Sequence, residues 1–113
     1  MRRSINVNRQ PDTRFITEWV VTAGQTITLP TVSGYSYAAA VDWGDGTSGT
    51  VTAYNVGNTH TYTNVGTYQI KIKGTFEAWS FANSGSRLSI KKVLSWGNPK
   101  FKYFKKVFTV VLI

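Results

Sequence analysis

The sequence predicts an all-β chain, an antiparallel sandwich of about seven short strands. Three observations predict it. Apolar residues recur at every second position through most of the 113 residues, the period of a half-buried strand. Turn residues interrupt that period often. Cysteine is absent, so no disulfide joins the sheets and packing alone must hold them.

Each element follows in order. Residues 1–13 are polar and aperiodic and read as a flexible N-terminal arm. Phe15, Thr17, Trp19 and Val21 share one parity and give a first strand. Ala23-Gly24-Gln25 is a turn, and Thr26 to Leu29 alternates before Pro30, which cannot donate to a ladder, ends it. Tyr35 to Trp43 is a third strand, with Tyr35, Tyr37, Ala39, Val41 and Trp43 on one face. Gly44-Asp45-Gly46 is a hairpin signal, because Asp-Gly accepts positive φ. Thr47 to Tyr54 is polar and β-branched, which suits a sheet edge. After the turn at Asn55 to Asn58, Thr59 to Tyr62 is a short strand.

From Thr67 to Lys73 the alternation puts Tyr68, Ile70 and Ile72 inward and Gln69, Lys71 and Lys73 outward. Gly74-Thr75 reads as an interruption, with further strands over Phe76 to Phe81 and Leu88 to Leu94. No helical pattern precedes residue 98. These strands, within residues 14–94, fit an immunoglobulin-like sandwich. Tyr68, just after Gly66-Thr67, stands where a tyrosine corner would bond back to nearby backbone. Trp19, Trp43, Tyr62, Tyr68 and Ile70 are expected to fill the centre.

Lys and Arg number 13 against 5 Asp and Glu, a net charge of +8. That excess is not spread evenly. Residues 14–86 are nearly balanced, while 87–113 carry Arg87, Lys91, Lys92, Lys100, Lys102, Lys105 and Lys106 with no acid. Such a basic cluster can bind nucleic acid or anionic lipid, and is more often a solvated segment. The basic and apolar segment 95–113 reads two ways. Phe101, Phe104, Phe108 and Val111 lie on one face of a helix, whereas the β-branched run Val107 to Ile113 prefers a sheet. The sheet reading pairs it with a sandwich edge or a second copy of the chain. No apolar stretch follows the N-terminal arginines, so no signal peptide is read, and the apolar end is far short of the roughly 20 residues of a span.

The chemistry-bearing residues are few. Asp42 and Asp45 are the close carboxylate pair and the calcium candidates, but hard cations want more oxygens, so the structural reading as turn acceptors is preferred. No other metal ligand set and no cofactor is expected. His60 is the sole histidine, read as packed beside the Asp-Gly turn rather than as base or ligand. No acid–base pair and no nucleophile motif is found, so no catalytic residue and no enzyme is expected. Tyr35, Tyr37, Trp79 and Phe81, with Tyr54 and Trp96, make more aromatic surface than one small core needs. The first four are the candidate contact residues for a protein or glycan.

The blocks Trp43-Gly44-Asp45-Gly46, His60-Thr61-Tyr62 and Gly66-Thr67-Tyr68, in this order, resemble the PKD (polycystic-kidney-disease) domain. Phe15 to Trp19, Ala23 to Pro30 and Val41 to Gly46 are more closely similar to the PKD-like N-terminal module of bacterial leucine-rich-repeat surface proteins of the BspA type. Leu88-Ser89-Ile90 and Ser95-Trp96-Gly97-Asn98 stand where the repeat array opens there. Phe101, Phe104 and Phe108 fall at the first repeat's apolar spacing, and the match ends after Phe108. The resemblance makes Trp43, Gly44, Asp45, Gly46, His60, Tyr62, Gly66 and Tyr68 the structural motif, and residues 95–113 a partial repeat or an added strand. It implies an extracellular or cell-surface spacer or contact module, meeting a protein or glycan. The alternative is a basic nucleic-acid-binding β domain using residues 87–106.

Overall fold

The computed structural model describes residues 13–81, 86, 88–105 and 111–112. Ten strands form among them and no helix: β1 (Phe15–Val21), β2 (Thr26–Thr28), β3 (Tyr37–Asp42), β4 (Ser48–Val51), β5 (Thr59–Thr61), β6 (Gly66–Phe76), β7 (Ala78–Ser80), β8 (Ile90–Ser95), β9 (Tyr103–Lys105) and β10 (Val111–Leu112). Six of them make one sheet in the order β10–β8–β1–β6–β3–β4. Two smaller sheets, β2–β5 and β7–β9, complete the fold. The N-terminal arm lies outside the described residues up to residue 12.

Alternation decides the layers. The inward parity of the large sheet contributes Phe15, Trp19 and Val21 from β1, Tyr37, Ala39 and Val41 from β3, and Ile70, Ile72 and Phe76 from β6. Ile27, Leu29, Tyr62, Trp79 and Phe81, from the small sheets and their ends, join the same buried cluster. The opposite parity of β3 is exposed at Ala38, Ala40 and Asp42. One face of the large sheet is thus covered and the other faces solvent, which gives a sandwich-like, all-β fold.

The β-ladders also settle two local questions. β4 is the polar edge, paired only through β3. β6 does not stop at Gly74. Its ladder with β3 continues through Ala39↔Gly74 and Ala38↔Thr75 to Tyr37↔Phe76. Gly74 sits at φ 114, where an added Cβ would meet the Ala38 carbonyl oxygen, so the position favours glycine within a continuous strand. The expected interruption does not occur.

The C-terminal segment joins the fold as strands. β9 pairs in parallel with β7, and β10 in parallel with β8 at the sheet edge. Phe101 and Phe104 pack against the buried cluster. Main-chain bonds strap the segment down: Phe76 N–H donates to the Pro99 carbonyl, and Lys102 N–H to the Glu77 carbonyl. Residues 106–110 and 113 lie outside the described residues, so the partial-repeat positions around Phe108 do too. No helix is long and apolar enough to cross a membrane among the described residues.

Candidate functional site

The three motif blocks fold into one cluster. The hairpin between β3 and β4 closes when Trp43 N–H donates to the Thr47 carbonyl at 3.0 Å. Gly44 turns the corner at φ 86, where an added Cβ would run into the Gln69 carbonyl oxygen of β6. Only glycine fits there. Asp42 Oδ1 accepts from the Gly44 N–H at 2.9 Å. Asp45 Oδ1 accepts from the Thr47 N–H at 3.2 Å and from the Thr47 hydroxyl. Its other oxygen meets His60 Nε2 at 2.7 Å.

β5 supplies His60, whose ring stacks on Trp43 at 4.9 Å between centroids. Tyr62, just past the strand, is buried below it and donates to the Trp43 carbonyl at 2.6 Å. The Tyr62 and Tyr68 rings meet at 4.5 Å. The Tyr68 hydroxyl, half-buried on β6, donates back to the Asn64 carbonyl at 2.9 Å. Gly66 lies under the Tyr68 ring, and Gly46 takes the second positive φ of the hairpin. Burial would raise the Asp45 carboxyl, but the hydrogen bonds from His60 and Thr47 outweigh it and hold the group below its usual value. Burial pushes the Tyr62 hydroxyl far up, with Asp45 nearby adding to the shift.

Thr47, His60 and Asp45 look at first like a nucleophile, base and orienting acid. The geometry is wrong for a relay. The same nitrogen, Nε2, faces both the Thr47 hydroxyl, at 3.2 Å, and Asp45. A triad needs the acid on the opposite ring nitrogen, so that one nitrogen stays open to take the proton. Thr47 also donates its hydroxyl to Asp45. What this arrangement can do is hold a hairpin against β5. Among the described residues no three metal-ligating side chains come together.

The contact aromatics need correction. Trp79 is 0% exposed, Tyr37 4% and Phe81 5%. They are core, packed into the same buried cluster as the inward residues of the large sheet. The Trp79 ring lies among Phe15, Phe76, Phe81 and Phe104. The Tyr37 hydroxyl donates to the Ala78 carbonyl at 2.8 Å, which ties β3 to β7. Tyr35 stacks on Tyr103 at 6.2 Å. Tyr54 and Trp96 do stay exposed.

The basic cluster is not one patch among the described residues. Lys92 lies 3.7 Å from Glu18, and Lys102 lies 3.2 Å from Glu77. Lys91 donates to the Leu88 carbonyl. Lys100 and Lys105 are exposed, Lys100 with φ 63. Arg87 and Lys106 lie outside the described residues.

No family model, no curated protein and no solved structure matches this chain. Its own geometry therefore carries the functional argument. Two features escaped the sequence reading. Thr17 is buried and links Trp19 Nε1, which donates to it at 2.6 Å, to the Ile70 carbonyl. An open concavity of about 470 Å³ lies on the solvent face of the large sheet, bordered by Arg14, Ala40, Asp42, Thr50, Lys71 and Lys73. Its signal was the outward parity of Lys71 and Lys73, opposite a strand of alanines.

Proposed function

We propose that the chain is a PKD-like, immunoglobulin-like module of a surface protein, and that it works by contact or spacing rather than catalysis. The observation that carries this is the fate of its chemically capable residues. Asp45, His60, Tyr62 and Tyr68 are spent on one another and on backbone within a single hairpin cluster, and one oxygen of Asp42 is held there too. The Tyr68 bond to Asn64 is the form of a tyrosine corner, which supports the immunoglobulin-like reading. A scaffold that fixes its polar groups this way leaves recognition to its open surfaces.

The nucleic-acid alternative draws less support, because Glu18 and Glu77 each face a lysine of the basic cluster. Paired glycan and protein arrays probed with the intact chain test the proposal. Saturable hits at physiological salt, recovered unmodified after incubation, are the expected result. Chemical turnover of a hit would overturn it, and no saturable hit on either array would overturn the contact role and leave spacing alone.

A further inference from the structure

We propose that the solvent face of the six-stranded sheet binds an acidic saccharide, held in the concavity between β4 and β6. This deepens the contact role proposed above and rests on it. The pairing register builds the site. On β6, Lys71 and Lys73 share the outward parity, roughly 6.8 Å apart along the strand. On β3, Asp42 lies opposite Lys71 and Ala40 opposite Lys73. On β4, Ser48 lies opposite Asp42 and Thr50 opposite Ala40. A lysine row thus faces a hydroxyl row across two strand spacings, roughly 9.6 Å. Between the rows the floor is low, because alanine reaches least. The resulting concavity is open and about 470 Å³ in volume.

The lining selects the ligand's charge. Lys71 and Lys73 face one acidic side chain of the lining, Asp42. The Lys71 and Lys73 ammonium groups make no ion pair or hydrogen bond with any described residue. Lys73 is exposed and Lys71 half-buried, on a concave surface where an anion gains from both at once.

Asp42 then selects the ligand's class. Its Oδ1 is held by the Gly44 N–H, and its second oxygen has no protein donor among the described residues. A phosphodiester brings only acceptors and is repelled there. The acidic side chains of a peptide are repelled as well. A sugar brings hydroxyls that donate to Asp42, while its carboxylate meets the lysines and its other hydroxyls meet Ser48 and Thr50. No aromatic ring lines the concavity, so the stacking that single-stranded nucleic acid uses has no platform here.

The test uses the intact chain with a short oligogalacturonate, its methyl ester and an oligothymidylate as probes. Amide chemical shifts should move at Ala40, Ser48, Thr50, Lys71 and Lys73 with oligogalacturonate. The Lys71→Gln/Lys73→Gln double variant should bind it about tenfold more weakly or worse, at an unchanged Tm. Ala40→Glu, which puts a carboxylate on the floor, should abolish binding. The ester and the oligothymidylate should bind far more weakly. Equal binding by the ester, tighter binding by the oligothymidylate, full binding by the double variant, or no binding of oligogalacturonate would each overturn the site. In the last two cases a saturable hit on the arrays leaves the contact role standing. An empty array result overturns both.

Discussion

At the residue scale, polar groups carry more of this fold than their number suggests. Thr17 is fully buried, and its hydroxyl both accepts from Trp19 and donates to β6. Thr17→Val keeps the shape and strands the indole N–H, which costs roughly 1–3 kcal/mol. A urea titration should show a lower midpoint at an unchanged slope; an unchanged midpoint would refute the role. Asp45 makes a second prediction. Its carboxyl is held low in the folded chain by His60 and Thr47 against the opposing effect of burial. A depressed folded pKa gives stability that is present above the unfolded value and is lost as pH falls through the folded one. Asp45→Asn should therefore be less stable by about 1–2 kcal/mol at neutral pH. The gap should close as pH drops past the usual carboxylate value of 3.8. Stability curves that stay parallel down to strong acid would contradict this. The motif residues were readable in the sequence because turn chemistry is local. Asp-Gly announces its hairpin. Thr17 was not readable as a linker, since its acceptor, the Ile70 carbonyl, lies 53 positions away.

At the element scale, β6 is the strand that the rest of the large sheet is built around, with β1 on one side and β3 on the other. At Gly74 its backbone runs so close to Ala38 and Ala39 that an added Cβ would meet the Ala38 carbonyl oxygen. Gly74→Val forces a β-branched residue into positive φ and into that backbone, costing roughly 2 kcal/mol or more. Loss of protection in hydrogen exchange should centre on β3 and the last turns of β6. Uniform protection would show that the strand absorbs the change. β7 gives the contrasting case. Trp79 is packed by five aromatic rings, so Trp79→Ala should cost roughly 3–5 kcal/mol as a cavity. A stable variant that merely lost a ligand would restore the contact role that burial argues against. Strand periods made β1, β3 and the first part of β6 legible residue by residue. β7 and β9 were harder, because three-residue strands carry too little alternation to fix a face.

At the scale of the whole molecule, the +8 charge proves to be two different things. Part of the basic cluster is tied to the sandwich through Glu18 and Glu77. Exposed pairs of that kind are worth about 0–1 kcal/mol each, so they orient the C-terminal segment more than they stabilise it. The aromatic packing of Phe101 and Phe104 does the holding. The remaining field is local, and the concavity on the open sheet face is its clearest expression. A salt series with a random oligonucleotide measures the rest. Weak binding with a shallow salt slope is expected, because few cations form one continuous row; tight binding at low salt that collapses steeply would restore the nucleic-acid alternative.

The sequence by itself determined the all-β class, the inward parity of the main strands and the hairpin at Gly44 to Gly46. Each of these is set by neighbours within a few residues, through period or turn geometry. Only the tertiary structure decided that Tyr37, Trp79 and Phe81 are core, that residues 103–105 and 111–112 add strands, and that Lys71 and Lys73 border a concavity. Those outcomes depend on which strand lies beside which. Pairing order is a property of the whole chain's packing, and no local pattern in 113 residues encodes it.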